Sequence, residues 1–162
     1  MAKRQVFYSF HYENDVMRAS QIRNIGVIEG NEPASDNEWE EVKRGGDAAI
    51  KKWIDENMNY RTCVIVLIGE ETASRKWVKY EIEKAWNDGR GLLGIFIHNI
   101  KDPRSGKCSK GANPFSDFRV GTVPLTSVVK TYDPDPNDAY GDISKHLEEW
   151  IEEAIKIREE YK

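Results

Sequence analysis

The stretch Cys63-Val-Ile-Val-Leu-Ile68 is the first of two short apolar runs between Tyr60 and Asn99. The second, Leu92-Leu-Gly-Ile-Phe-Ile97, follows a segment with helical spacing, Ser74 to Asp88. Because each run is apolar on both faces, it predicts a strand that is covered on both sides of a parallel sheet. A strand, a helix and a second strand form a right-handed βαβ unit, so the stretch predicts an α/β fold.

Similar patterns recur along the rest of the chain. Three further strands are predicted, at Gln5–Phe10, Gly26–Ile28 and Ser127–Tyr132. Further helices are predicted from a cap at Asn14 or Asp15 to about Asn24, over Glu38–Asn57, and from about Asp142 to Lys162. Glycine costs about 1 kcal/mol relative to alanine inside a helix, so we expect the second of these to break at Gly45-Gly46.

Five strands that alternate with helices predict one architecture. It is a three-layer α/β sandwich around a five-stranded parallel sheet, with the flavodoxin-like strand order 2-1-3-4-5. The chain shows no internal repeat, and its 162 residues suit a single domain over positions 1–162. Many functions share this fold, so the function has to be argued from particular residues.

Composition and charge exclude several classes of protein. Hydrophobic residues make up 39% and charged residues 32% of the chain, and the net charge of −4 argues against a general nucleic-acid binder. No apolar run approaches the roughly 18 to 20 residues that span a membrane, and no signal peptide is visible, so we expect a cytoplasmic protein without a membrane partner. Cys63 and Cys108 make neither a disulfide framework nor a metal site, and no bound metal is expected.

Polar and aromatic residues follow the first strand directly. Ser9, Phe10, His11 and Tyr12 stand at its carboxyl end, where ligands bind in doubly wound sheets. A simpler interpretation is open at this stage. In it, His11 is a loop or packing residue, and the two aromatic rings cap the core.

The predicted helix after the third strand carries a tryptophan and a glutamate. Trp77 and Glu81 are four residues apart, so they lie on one face of the helix. One interpretation makes Trp77 a core residue and Glu81 a solvated residue that pairs with a lysine. The other makes Glu81 a site carboxylate that contacts a sugar or stabilises positive charge in a cleft.

Two families with this strand order lack support in the motifs. A response-regulator receiver needs a phosphoacceptor aspartate at the end of strand 3, where this chain has Ile68-Gly69-Glu70. A flavodoxin needs a hydroxyl- and glycine-rich phosphate loop after strand 1, which is absent. There is also no Gly-x-Gly-x-x-Gly, no P-loop, and no credible Ser/His/Asp or zinc-ligand spacing.

The motifs do resemble those of the Toll/interleukin-1 receptor (TIR) superfamily. Val6-Phe-Tyr-Ser-Phe10 is similar to its opening strand, and Ser74-Arg-Lys-Trp-Val-Lys-Tyr-Glu81 is similar to its Ser-x-x-Trp-x-x-x-Glu helix. The chain most closely resembles the TIR-like ThsB proteins of the Thoeris anti-phage defence system. The further supporting motifs are Asp47-Ala-Ala-Ile-Lys-Lys52 and Lys110-Gly-Ala-Asn-Pro-Phe115.

The resemblance implies an enzyme that consumes NAD+. In NAD-consuming TIR domains the motif glutamate is catalytic, which implies that Glu81 acts on the bond between nicotinamide and ribose. NAD+ would be a substrate rather than a permanently bound cofactor. The resemblance implies that substrate-binding residues come from strand 1, the glutamate helix and the irregular segment after residue 100; they are Ser9, Phe10, His11, Tyr12, Trp77, Asn113 and Phe115. The loop Glu29–Asn37 would gate the cleft or join neighbouring subunits.

The product and the partners follow only from the resemblance. Similar proteins make a signalling nucleotide, either a cyclic ADP-ribose isomer or an ADP-ribose conjugate, which activates a separate effector. Self-assembly is a further implied property. Two alternatives remain open: a TIR-like module that binds other proteins without catalysis, and an enzyme similar to nucleoside 2-deoxyribosyltransferases, in which the glutamate is a covalent nucleophile.

Overall fold

The structure is a computed structural model that describes residues 4–25, 29–30 and 36–161. Its strands are β1 Gln5–Ser9, β2 Glu29–Gly30, β3 Cys63–Ile68, β4 Gly91–Phe96, β5 Arg119–Val120, β6 Val123–Pro124 and β7 Thr131–Tyr132. Its α-helices are α1 Tyr12–Arg23, α2 Asp36–Arg44, α3 Gly46–Met58, α4 Lys76–Asn87 and α5 Ala139–Glu159. Short 3₁₀ helices lie at Thr72–Ser74, Pro114–Asp117 and Leu125–Ser127.

A parallel sheet forms the centre of the molecule. β3 lies between β1 and β4, and β4 also pairs with β7, in each case in parallel. Every residue of β3 and β4 is buried. This is the environment that apolar runs without alternation require, and the predicted α/β fold with a parallel sheet is confirmed.

Helices cover both faces of the sheet. Side chains of a strand alternate between its two faces, so successive residues of β1 and β3 enter different clusters. One cluster joins α1 and α5 to the sheet through Val6, Tyr8, Cys63, Ile65, Leu67, Ala19, Ile22, Ile143, Leu147 and Ile151. The other joins α3 and α4 to the opposite face through Phe7, Val64, Val66, Ile68, Ile54, Met58, Val78, Ile82 and Ala85.

The outer strands differ from the prediction. The predicted second strand, Gly26–Ile28, lies outside the described residues, and the two-residue β2 pairs in parallel with β1. The predicted fifth strand, Ser127–Tyr132, is too long, because the first of these residues ends a 3₁₀ helix and only Thr131–Tyr132 pairs with β4.

The helix boundaries show one wrong prediction and one confirmed prediction. α1 begins at Tyr12, before the expected cap, because the backbone carbonyl of His11 already accepts the amide of Asp15 at 2.9 Å. The break at Gly45-Gly46 is confirmed: α2 ends at Arg44 and α3 begins at Gly46. Gly46 has a φ of 77°, a left-handed conformation that glycine adopts without steric cost.

The segment Ile100–Val123, which has no clear sequence periodicity, contains a 3₁₀ helix and one strand of the small β5–β6 hairpin. Across the part of the chain that the structure describes, every helix is too short or too polar to cross a membrane.

Candidate active site

A cavity of about 350 Å³ lies at the carboxyl end of β1. Three parts of the chain form its wall: the residues from the end of β1 into α1, the buried side of α3, and the start of α4. The apolar part of the wall comes from Tyr8, Phe10, Tyr12, Ile50, Trp53, Ile54, Trp77 and Val78. Glu81 is the carboxyl group in this part of the wall, and the other ionisable residues are His11, Glu13, Lys43, Arg75 and Lys76.

Glu81 is buried, with 7% of its surface exposed. The hydroxyl of Ser9, itself fully buried, donates a hydrogen bond of 2.7 Å to Glu81 Oε1. Burial raises the pKa of Glu81 to about 8, against the opposing effect of the Ser9 hydrogen bond. The protonated form of Glu81 is therefore favoured at neutral pH.

Local sequence explains how the two residues meet. Val78, Ile82 and Ala85 form the buried stripe of α4 that packs on the sheet, and Glu81 lies beside this stripe because of the helical period. Ser9 is the last residue of β1, and its neighbour in the sheet is Val66 of β3. The solvated interpretation of Glu81 is therefore wrong.

Aromatic rings form much of the cavity wall. Phe10 and Tyr12 stack with ring centroids 6.4 Å apart and an angle of 22° between their planes. Trp77, half-buried and also in the cavity wall, meets the ring of Tyr80 edge to face at 5.7 Å. Such rings offer flat apolar surfaces to a planar ligand.

Several ionisable groups line the cavity. His11 is buried, and its Nε2 lies 3.2 Å from Glu13 Oε2. Burial lowers the pKa of His11, the positive charge of Arg75 lowers it further, and Glu13 opposes both effects. Lys43 of α2 also contacts Glu13, at 3.3 Å.

Five of the predicted site residues line the cavity: Phe10, His11, Tyr12, Trp77 and Glu81. Ser9 lies behind the wall and reaches the site through Glu81. The structure does not bring the other two residues to this cavity. Asn113 accepts the amide of Phe115 at 2.9 Å and so caps the 3₁₀ helix Pro114–Asp117, and Phe115 is fully buried in the α3–α4 face of the core.

Sequence reasoning missed several lining residues. Ile50, Trp53 and Ile54 lie at helical spacing within the predicted helix Glu38–Asn57, and they border the cavity. Lys43 gave no sequence signal of a role at the cavity. Arg75 lies within the Ser74–Glu81 motif. Its position just before a predicted helix, at the carboxyl edge of the sheet, could have indicated a role at the site.

The domain has a parallel sheet, and the Ser-x-x-Trp-x-x-x-Glu motif at α4 places its glutamate in a cavity at the carboxyl edge of that sheet. This is the arrangement of a TIR-like domain. Residues 7–102 match the family described as Thoeris protein ThsB, TIR-like domain. The chain belongs to this family, and the resemblance predicted from its motifs is confirmed. The motif Lys110–Phe115 lies beyond the matched residues.

The chain is also similar to a protein of Bacillus cereus (strain MSX-D12). That relative is named "Putative cyclic ADP-D-ribose synthase ThsB1", and the two are 40% identical over 120 residues. The alignment covers 71% of this chain and 62% of the relative, so the chain spans less than two thirds of the relative's length.

Proposed function

We propose that this chain cleaves the bond between nicotinamide and ribose in NAD+ and converts the remainder into a cyclic ADP-ribose isomer, a signalling nucleotide of anti-phage defence. The observation that carries the proposal is Glu81, a carboxyl group buried in an aromatic cavity and held by the Ser9 hydroxyl. The printed name of the Bacillus cereus relative supports the choice of product.

The proposed chemistry depends on the ionisation of Glu81. A nearby positive charge favours the ionised carboxylate, so the cationic nicotinamide ring of NAD+ lowers the raised pKa of Glu81. The carboxylate then stabilises the positive charge that develops on the ribose as the bond to nicotinamide breaks. The electron pair of that bond leaves with neutral nicotinamide.

The apolar wall supports cyclisation over hydrolysis. After nicotinamide leaves, a nucleophilic atom of the same ADP-ribose attacks ribose C1′ and loses a proton, which closes the ring without consuming water. The rings that line the cavity would exclude water and hold planar groups; they belong to Phe10, Tyr12, Trp53 and Trp77. Conjugation to a second molecule is the competing outcome, and the mass of the product distinguishes the two.

The remaining predicted residues have more limited roles in this proposal. Ser9 positions Glu81, and Phe10, Tyr12 and Trp77 offer stacking surfaces for the substrate. His11 borders the substrate at the mouth. Asn113 and Phe115 are not included, because the first caps a 3₁₀ helix and the second packs in the core.

The proposal extends to the organisation of the protein. We propose a single TIR-like domain over positions 1–162 with the predicted strand order 2-1-3-4-5, in which β7 takes the place of the fifth strand. The pairing of the two-residue β2 with β1 and of β7 with β4 supports this order. NAD+ is an intracellular substrate, so the proposed location is the cytoplasm. The proposed partner is a separate effector that binds the nucleotide, and self-assembly is the proposed means of activation.

A mass-spectrometric product assay tests the proposal. Concentrated protein, with and without lysate of infected cells, is incubated with NAD+ beside Glu81→Gln and the control Glu83→Gln, which changes an exposed glutamate on the same helix. We expect nicotinamide and a product with the mass of ADP-ribose less one water from the wild type and the control. Glu81→Gln should lower turnover by at least about 100-fold.

Other outcomes would contradict parts of the proposal. Equal turnover by Glu81→Gln would refute the site. A Glu81-dependent product heavier than ADP-ribose would replace cyclisation by conjugation. No product under any condition would favour a protein-binding TIR-like module.

A further inference from the structure

Three cationic side chains line the mouth of the cavity, and two of them are already engaged. Lys43 contacts Glu13 at 3.3 Å and Glu40 at 3.0 Å. Lys76 contacts Asp47 at 2.6 Å. These carboxylates neutralise much of the charge that either lysine would offer to a ligand.

The third cation, Arg75, is different. Its side chain is exposed at the mouth, and among the residues that the structure describes its guanidinium has no hydrogen-bonding or ion-pair partner. Its positive charge reaches into the site, since it contributes to the lowered pKa of His11. Arg75 therefore presents an unneutralised, forked set of donors to whatever occupies the cavity.

The position of Arg75 relative to Glu81 fits a substrate with an anionic group one sugar away from the reacting bond. Arg75 immediately precedes α4, six residues before Glu81. At about 1.5 Å per residue the two are separated by about 9 Å along the helix axis. Arg75 is exposed and Glu81 is buried, and both line the same cavity.

We propose that Arg75 binds the diphosphate of NAD+ and thereby orients the dinucleotide with its nicotinamide end toward Glu81. This inference rests on the proposed function. A planar guanidinium matches phosphate oxygens with two parallel charge-assisted hydrogen bonds. Because the chain carries a net charge of −4, a local cation is needed to attract an anionic substrate to this surface.

Binding of ADP-ribose tests the assignment without requiring any reaction. Isothermal titration calorimetry of ADP-ribose is compared for the wild type, Arg75→Gln, Arg75→Lys and the control Arg119→Gln, an exposed arginine on the β5–β6 hairpin. We expect Arg75→Gln to raise the dissociation constant about 10- to 100-fold. Arg75→Lys should have an intermediate effect, and the control should bind like the wild type.

Kinetics separate binding of the diphosphate from chemistry at the ribose. Nicotinamide riboside contains the reacting bond but has no phosphate. Arg75→Gln should raise KM for NAD+ by a similar factor, with little change in kcat, and should leave the turnover of nicotinamide riboside unchanged. Added salt should weaken the binding of ADP-ribose to the wild type more than to Arg75→Gln.

The two proposals fail in different ways. ADP-ribose that binds equally well to Arg75→Gln, or not at all to the wild type, would overturn the role of Arg75 even if NAD+ is cleaved. An equal loss of turnover with NAD+ and nicotinamide riboside would also overturn it, because Arg75 would then act on the fold or the reaction. Binding that depends on Arg75, without cleavage of NAD+ by the wild type, would support the diphosphate site and refute the proposed reaction.

Discussion

Two buried carboxyl groups belong to helices that cover opposite faces of the sheet, and their partners differ. Asp15 of α1 is fully buried and contacts Arg18 Nη1 at 2.6 Å. Arg18 also donates to the carbonyls of Ile100 and Gly106, at 2.8 and 2.7 Å. Glu81 of α4 has the Ser9 hydroxyl as its neighbour, and it faces a cavity.

The comparison separates a carboxyl group held in an ion pair from the one that we propose to be catalytic. Burial raises the pKa of both groups, but the Arg18 guanidinium opposes the rise for Asp15, whereas only the Ser9 hydrogen bond opposes it for Glu81. A buried ion pair with satisfied donors holds a helix to a loop. A buried carboxyl group without a cationic partner can ionise when a positive charge binds beside it, and the carboxylate then stabilises that charge.

The largest effect on stability should come from breaking the ion pair. Arg18→Met leaves Asp15 without its cation and should lower the free energy of unfolding by about 3–5 kcal/mol, measured by urea denaturation at pH 8. Arg119→Met on the exposed hairpin is the matched control and should change stability by less than about 0.5 kcal/mol. If Arg18→Met lowered the free energy of unfolding by less than about 1 kcal/mol, the ion pair would not be an important contributor to stability.

Glu81→Gln should raise the free energy of unfolding, whereas Arg18→Met should lower it. The folded pKa of Glu81, about 8, lies above its ordinary value of 4.5, so its contribution to stability is fully present below pH 4.5 and is lost as the pH rises through about 8. The glutamine does not ionise and still accepts from Ser9. At pH 9 the variant should be more stable than the wild type by about 2–3 kcal/mol, because its buried amide offsets part of the gain.

The pH dependence of stability tests whether the pKa of Glu81 is raised. Thermal melts at pH 5 and pH 9 should show a difference between Glu81→Gln and the wild type that grows with pH. Glu83→Gln, at an exposed position, should show no such growth. A constant difference for Glu81→Gln would mean that Glu81 has an ordinary pKa.

The smallest effect should come from the positioning residue. Ser9→Ala removes the hydrogen bond that lowers the pKa of Glu81, so the midpoint of the kcat/KM profile for NAD+ should move from about 8 to a higher pH. The loss of the bond corresponds to about one pH unit. Ser20→Ala, which removes a serine hydroxyl bonded to the Val16 carbonyl on α1, is the control. An unchanged midpoint with a lower rate would make Ser9 a packing residue.

The central part of the fold could be predicted from the sequence because burial on two faces leaves a strong pattern. β3 has the predicted limits, Cys63–Ile68, and β4 begins one residue before the predicted run. The outer strands contain two residues each, too few to leave a periodic signal. Their limits depend on pairing with β1 and β4, which is a property of the assembled sheet.

The candidate site could be predicted only in part. The sequence could predict Glu81 and Trp77 as site residues because helical spacing places them on one face of a helix. It could predict Phe10, His11 and Tyr12 because they follow a strand. Phe115 was misplaced, because an aromatic residue in a loop without periodicity has the same sequence signal whether it closes a site or fills the core. Arg75 differs from Lys43 and Lys76 because each lysine pairs with a carboxylate. The sequence does not show which lysines form such pairs, since the contacts depend on the folded structure.

The hydrogen bond between Ser9 and Glu81 joins residues separated by 72 positions in the chain. It forms only when β1 has docked in parallel beside β3, a pairing that closes a long loop and is therefore slow. A partly folded chain lacks both the aromatic walls and the protected carboxyl group. Under the proposed function, catalytic competence is thus acquired together with the central sheet, and we expect a nascent or damaged polypeptide to release no signalling nucleotide.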